Sequence, residues 1–277
     1  TRVKFRFKKI ETSFIKQKQI RVENLDELIQ LFEQYHQYTY SVAGIDCLKK
    51  GAGFGRSILM LGEHARITEL DAKQQQDPLS VREKRPVNFP VNLPTWVLNR
   101  FTVKAFNQLF YTKNFKREIN RLIYFEPFFY PLDAILHWNR GYGKNGFIQY
   151  QFVLPLNAKS GLVEMMNSIS DSGLGSFLAV LKVFGKQEGI ISFPKEGYTL
   201  ALDFPVKPGL LPFLDELDQI VLRHDGRLYL SKDARMKPEV LRGGYPGLEK
   251  FKDIVRKYNP GGKIHSMQSD RLFLTSN

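Results

Sequence analysis

Apolar and polar residues alternate with a period of two along some stretches of this chain and with a helical period along others. FIQYQFVLP (147–155) alternates, residues from about 159 to 170 have helical spacing, and 176–184 and 197–204 alternate again. A helical stretch from about 210 to 223 and a short strand pattern at 227–231 complete the series. Strand, helix, strand, strand, helix, strand is the split βαβ, or ferredoxin-like, unit, whose antiparallel sheet carries both helices on one face. The predicted class is α+β: an antiparallel sheet with helices on one face, containing a ferredoxin-like βαββαβ unit. The other sheet face is then free to cover something.

Strand parity names the side chains on that free face. In the first strand Ile148, Tyr150, Phe152 and Leu154 share the side suited to helix packing, while Gln149 and Gln151 share the other with Phe147 and Val153. In the second strand Leu178, Val180, Lys182 and Phe184 fall together. A lysine between Leu181 and Val183 is costly to bury without a partner, so Lys182 is expected to meet water, a carboxylate or an anionic ligand. The same holds for Lys232 in the pattern RLYLSKDAR. Two glutamines and a lysine on a mostly apolar surface read as a pocket wall; a solvated sheet face is the alternative that parity leaves open.

Nearer the N-terminus, VKFRFKKIE, KQIRVEN, TYSVAGID and RSILMLGEH have strand patterns, with a helix NLDELIQLFEQYHQ between the second and third. Asn24 is placed to cap that helix, Asp26 and Glu27 suit its first turn, and Leu25, Leu28, Leu31 and Phe32 form its apolar stripe. Residues 69–96, with Pro78, Pro86, Pro90 and Pro94, read as a long irregular connection of the kind that crosses a surface or closes over a site. Residues 97–112 return to helix. Gly141, Gly143 and Gly146 spell GxGxxG, but a strand follows where a dinucleotide site needs one before and a helix after. GAGFGR (51–56) lacks the P-loop Lys-Ser/Thr pair and reads as a turn.

Composition narrows the class. With 277 residues, 43% of them hydrophobic, the chain can bury a real core, and no run of apolar residues is long enough to cross a membrane. Cys47 stands alone, which excludes an internal disulfide framework and makes it a small buried residue; the five histidines have no metal-binding spacing. The net charge of +13 favours acidic partners. The basic residues are spread out and no nucleic-acid motif occurs among the aromatic stretches, so phosphate or anionic-lipid ligands, including peripheral membrane contact, are expected in preference to nucleic acid. The opening TRVKFRFKKIE lacks a signal peptide's apolar stretch, which fits a cytoplasmic or peripheral membrane location. Its alternation reads as a strand already under way, so the chain is expected to be part of a longer one.

FYPLDAILHWNRGYGKNGFIQYQFVLP, then FLAVLKVFG, GYTLALDFPV, FLDELDQIVLRHDGRLYLSKDARM and YNPGGKIHSMQSDRL, together with KKIETSFIK and YSVAGID, carry a family resemblance. The chain resembles the decaprenylphosphoryl-β-D-ribose 2'-oxidase group of FAD-dependent oxidoreductases, within the vanillyl-alcohol-oxidase-type flavoproteins. The resemblance implies a substrate-binding cap domain, residues 1–226, and a segment 227–277 that would return to an FAD-binding domain with no counterpart in this sequence. FAD is then the cofactor of the full-length protein and absent from this chain, and a sugar or lipid-linked sugar is the substrate.

Residue by residue, the resemblance makes Lys232 the lysine that reaches flavin and substrate, and Lys182, Gln149 and Gln151 polar pocket residues. Phe184 becomes an apolar wall. Phe129 stands where relatives carry tyrosine, Thr199 and Ala201 where mycobacterial members carry Asn and Cys, and Gly44 where relatives tend to carry an aromatic. These departures bear on the identity of the sugar more than on the reaction class. An alditol or aldonolactone oxidase, or a non-enzymatic basic module for anionic polymer or membrane, are the alternatives.

Overall fold

The structure, a computed structural model, describes Arg2 and residues 4–81, 86–174 and 179–275. Its strands are β1 (Phe14–Val22), β2 (Tyr40–Ile45), β3 (Ser57–His64), β4 (Val87–Asn88), β5 (Glu118–Tyr124), β6 (Ile135–Leu136), β7 (Phe147–Pro155), β8 (Val180–Phe184), β9 (Gly197–Pro205) and β10 (Arg227–Leu228). The helices are α1 (Leu25–Gln34), α2 (Ala72–Gln76), α3 (Arg100–Lys113), α4 (Phe125–Phe129), α5 (Lys159–Ser172), α6 (Leu210–Arg223), α7 (Pro238–Gly244), α8 (Leu248–Tyr258) and α9 (Met267–Arg271). No helix among the described residues is long and apolar enough to cross a membrane.

Eight strands form one sheet in the order β10-β7-β9-β8-β2-β3-β1-β5, antiparallel at every pairing, and β4 and β6 make a separate parallel pair. The first four strands reproduce the predicted βαββαβ unit: its last strand lies outermost, followed by its first, third and second. The N-terminal strands extend the same sheet through the pairing of Ala43 with Leu181 and Gly44 with Val180.

Side-chain parity then sorts the two faces. Leu28 of α1, Met165 of α5 and Leu214 of α6 are fully buried against Phe152, Leu181 and Leu200 of the sheet. Each such side chain contributes about 1.5–3 kcal/mol by leaving water. Asn24 caps α1 as its sequence predicts, its Oδ1 accepting from Glu27 N at 3.0 Å. Gly173, at φ +70, ends α5, and the packing of α5 on α6 is close enough that a Cβ on Gly161 would lie 2.4 Å from the His224 ring.

On the opposite face the two halves of the sheet differ. The expectation of helices on one side holds for the βαββαβ unit, whereas α3 lies across the other side of the N-terminal strands. Asn99 caps α3, and Phe110 places its ring 3.5 Å from where a Gly44 Cβ would be. α4 adds Phe128, whose ring fills the space above Gly62.

Three sequence expectations change. VKFRFKKIE is not a strand: residues 4–10 are irregular, with Phe5 and Phe7 77% and 84% exposed. Alternation makes a strand only where an edge offers a hydrogen-bonding ladder, and none pairs with this segment among the described residues. The strand predicted at 227–231 stops at Leu228, and Leu230–Lys232 form a 3₁₀ turn, because the Asp233 carboxylate draws in the N–H groups of Arg235 and Met236 at 2.8 and 2.6 Å. The long connection contains α2; its Pro78–Ser80 part is tied to β1 and β5 through Ser13 N to Pro78 O (2.8 Å) and Tyr124 Oη to Ser80 O (3.0 Å), well away from β8. Its 87–93 part bonds to residues 136–140 through Phe89 N to Leu136 O and Leu93 N to Arg140 O, both at 2.9 Å. Leu178, assigned to β8 from the sequence, lies outside the described residues.

Candidate functional site

The face of the βαββαβ unit opposite its helices carries the predicted polar residues together. Register places Gln151 beside Ala201 and Val180, Val153 beside Thr199 and Lys182, and Gln149 beside Asp203. Gln151 Nε2 donates to Thr199 Oγ1 at 3.0 Å, and Gln149 donates to the Asp203 carboxylate. The Tyr142 hydroxyl stands 3.5 Å from Asp203 Oδ2, and its ring stacks on Phe147 with centroids 4.4 Å apart. Burial pushes the Asp203 pKa up, while Gln149, the Lys232 charge and Tyr142 pull it back toward the ionised form.

Lys182 and Lys232 are the unusual members. Neither side chain has a hydrogen bond or ion pair among the described residues, and the two are close enough to repel. Part of the Lys182 side chain is open to solvent, yet the protein around its ammonium excludes enough water to lower its pKa, and the Lys232 charge lowers it further. Phe184 meets Phe193 edge-on at 5.9 Å, and Phe193 stacks on Tyr229 at 4.4 Å, which makes a row of three aromatic rings. The cleft under Gln149, Gln151, Tyr229 and Lys232 is only about 20 Å³, room for roughly one water. The polar face is a platform with a buried floor, Thr199 and Asp203 being 1% and 4% exposed, beside an exposed Lys182, so a large ligand must lie over it.

A rigid frame holds Lys232 at the platform's edge. Tyr229 N donates to Gln151 O at 2.9 Å, so the turn leaves the sheet beside the glutamines. From α9, Gln268 Nε2 donates to Leu230 O at 2.7 Å and Arg271 pairs with Asp233 at 2.7 Å. Burial raises the Asp233 pKa, but Arg271, the two backbone donors and Gln268 outweigh it and keep the carboxylate below its usual range. Behind the platform, Arg235 is ion-paired with Asp215 at 2.7 Å and with Asp218, and Tyr150 Oη donates to Asp218 Oδ1 at 2.9 Å.

Six of the predicted residues, Gln149, Gln151, Thr199, Lys182, Phe184 and Lys232, thus share one region. Phe129 packs elsewhere on the same side, with its ring 4.8 Å from that of Tyr40 and 6.4 Å from that of His64. Parity along GYTLALDFP was sufficient to find Asp203, which shares its face with Thr199 and Ala201; Tyr142 and the α9 clamp had no signal in strand periodicity. Above Gly44, the Phe110 ring of α3 lies 3.5 Å from where a Cβ would be. Among the described residues no group of His, Cys, Asp and Glu could hold a metal ion.

Chemically, two repelling ammonium groups beside amide and hydroxyl donors favour an oxyanion carrying hydroxyls, and equally a ring system that gains negative charge on reduction. No family model matches the chain. It is 36% identical over 256 residues to the decaprenylphosphoryl-β-D-ribose oxidase of Mycolicibacterium smegmatis, an alignment that covers 91% of this chain and 55% of that protein. It is also 28% identical over 277 residues to an uncharacterized protein in the mprA 5' region of Streptomyces coelicolor, covering 96% of this chain and 74% of the relative. The chain therefore spans about half the length of the first of these curated relatives, and over that span the resemblance to decaprenylphosphoryl-β-D-ribose oxidase read from its motifs is borne out.

Proposed function

We propose that this chain is the substrate-binding part of an FAD-dependent oxidoreductase that takes hydride from a CH–OH carbon of a lipid-linked pentose, a polyprenyl-phosphoryl ribose. The observation that carries the reading is the pair Lys182 and Lys232, without ion pairs among the described residues, on a sheet face with Gln149, Gln151 and Thr199. Residues 1–226 act as the cap, and 227–277 return toward an FAD-binding domain that is the cap's partner; the greater length of the Mycolicibacterium relative is consistent with this.

The platform suits a flavin because it is cationic at one edge and carries the Phe184, Phe193 and Tyr229 rings. When bound, the isoalloxazine supplies the hydride acceptor. Lys232, fixed by the Asp233–Arg271 clamp, offers its ammonium to negative charge on the ring and orients the substrate hydroxyl. Lys182 takes the phosphate or a sugar oxygen. Gln149 and Gln151 hold sugar hydroxyls, with Gln151 preset by Thr199 and Gln149 by Asp203. Phe184 excludes water.

The test is anaerobic loss of visible flavin absorption in the flavin-loaded protein on adding polyprenyl-phosphoryl ribose. Lys232→Ala is expected to slow it by about a hundredfold. Unchanged reduction by this variant removes Lys232 from the chemistry. Faster reduction by free polyols than by the lipid-linked pentose replaces the substrate class.

A further inference from the structure

α3 is apolar on two sides. Val103 and Asn107 are buried against the sheet, and Phe110 lies over Gly44. Phe101 and Leu109, with Ala105 midway, point the other way and are 82% and 69% exposed. Exposed apolar side chains continue on both flanks: Val91 at 61% and Trp96 at 74% before the helix, and Phe115 at 72% after it. Scattered exposed leucines need no explanation, but so many exposed aromatic and aliphatic side chains on one helix and its flanks do.

Charge selects the occupant. From Pro86 to Arg117 the sequence carries Arg100, Lys104, Lys113, Lys116 and Arg117 and not one Asp or Glu. Arg117 is engaged by Glu23 and Glu27; Arg100, Lys104, Lys113 and Lys116 are exposed. A protein partner's surface mixes both signs, and the core of a protein interface is depleted in lysine. Exposed Trp, Phe and Leu on a stretch whose own charges are all cationic, with the neighbouring Glu23 and Glu27 taken up by Arg117, match the headgroup level of an anionic bilayer, where aromatic rings anchor and each nearby cation adds attraction.

Position supports the same occupant. Gly44, under Phe110, pairs with Val180, two residues from Lys182, so the inner side of α3 borders the platform while its outer side faces away. We propose that the outer side of α3, with Trp96 and Phe115, docks on an anionic lipid surface and brings the platform to the bilayer. The purpose of this contact rests on the lipid-linked substrate proposed above; its physical basis does not.

Trp96 and Trp138 are the two tryptophans, so Trp138→Phe leaves Trp96 as the reporter. The full chain is mixed with phosphatidylglycerol/phosphatidylcholine vesicles and with phosphatidylcholine vesicles alone. Expected are a blue shift of Trp96 emission, co-sedimentation about tenfold stronger with the anionic vesicles, and weakening by salt. Phe101→Ser with Leu109→Ser, and separately Lys104→Glu with Lys113→Glu, should each reduce binding about tenfold. Replacing both Lys182 and Lys232 with Met should leave it unchanged. Trp96 emission indifferent to anionic vesicles, or binding retained in Phe101→Ser/Leu109→Ser, overturns the proposal. So does Trp96 already blue-shifted without lipid in a self-associated protein, since a protein then covers the surface. Flavin reduction by detergent-solubilised substrate separates the two readings: its absence with vesicle binding intact refutes only the oxidoreductase.

Discussion

One face of one sheet is finished in two ways. Over the N-terminal strands, α3 closes the face, and Gln17, Gln19, Arg56 and Arg121 find partners within the chain. Gln19 donates to Asn114 at 2.7 Å, Arg121 to Gln17 at 2.7 Å, and Arg56 binds Asp46 through Nε at 3.0 Å and a terminal nitrogen at 2.9 Å. Over the βαββαβ unit no helix of this chain crosses among the described residues, and Lys182 and Lys232 are left facing each other. Polar residues in a protein interior are paired almost without exception. The buried Thr199 and Asp203 obey this rule as well, so what sets this half apart is its two cations, Lys182 exposed and Lys232 half-buried, neither bonded to a counter-charge among the described residues, which a ligand arriving from outside would meet.

The contrast breaks most visibly in stability. Asp46, 7% exposed, accepts from Arg56, from Asn107 Nδ2 at 2.9 Å and from Leu48 N at 3.0 Å. Asp46→Ala strands a buried guanidinium and is expected to cost about 3–5 kcal/mol by denaturant or thermal unfolding. Lys182→Met removes a charge that has no ion pair among the described residues and is expected to change stability by less than about 1 kcal/mol, toward greater stability. A comparable loss in both variants would show that the two halves are not differently finished.

A pH effect of intermediate size comes from the closed side of the unit. Burial pushes Asp218 up to about 7, against the pull of Arg235 and Tyr150. Protonation is tolerable because Arg235 keeps Asp215 as a counter-charge at 2.7 Å. The folded-state pKa lies above the unfolded one. Below about pH 4 both states are protonated; between there and about 7 only the folded state holds the proton, so stability falls as pH rises through this window and then levels. The fall is on the order of 4 kcal/mol. Comparing Tm against pH for the native chain and Asp218→Asn checks it. Parallel curves from pH 4 to 7 would mean that Asp218 is ionised throughout.

Much of this was legible in the sequence, for physical reasons that also mark the limits. Periodicity fixed α6 and β7 to the residue and parity grouped Gln149, Gln151, Lys182 and Phe184, because both depend only on local geometry. Parity does not report what lies above a face. That α3 covers Gly44 while the lysines stay uncovered depends on contacts between residues distant in sequence. The 227–231 pattern failed as a strand because the hydrogen bonds that bend it come from Asp233 and α9, beyond the window in which alternation is read. VKFRFKKIE failed for want of a neighbouring edge. Phe129 was assigned to the site by resemblance alone, and the structure seats it with Tyr40 and His64.

The subtlest test compares two lysines of the same sheet. Around Lys18 desolvation pulls the pKa down, but the hydrogen bonds to Glu118, 3.0 Å away, and to Tyr35 outweigh it, and the pKa ends above the ordinary lysine value. Around Lys182 desolvation and the Lys232 charge act in the same direction, and its pKa ends below. Lysine-labelled NMR titration should therefore give midpoints on opposite sides of those of exposed lysines. Lys232→Met should move the Lys182 midpoint upward by removing the repulsion, and inorganic pyrophosphate, a probe for an oxyanion on the platform, should do so too without moving Lys18. If Lys182 titrates with the exposed lysines and ignores both changes, its ammonium is solvated like any surface charge. The open half of the face would then be a wet surface in need of no ligand, and the difference between the halves would lose its functional meaning.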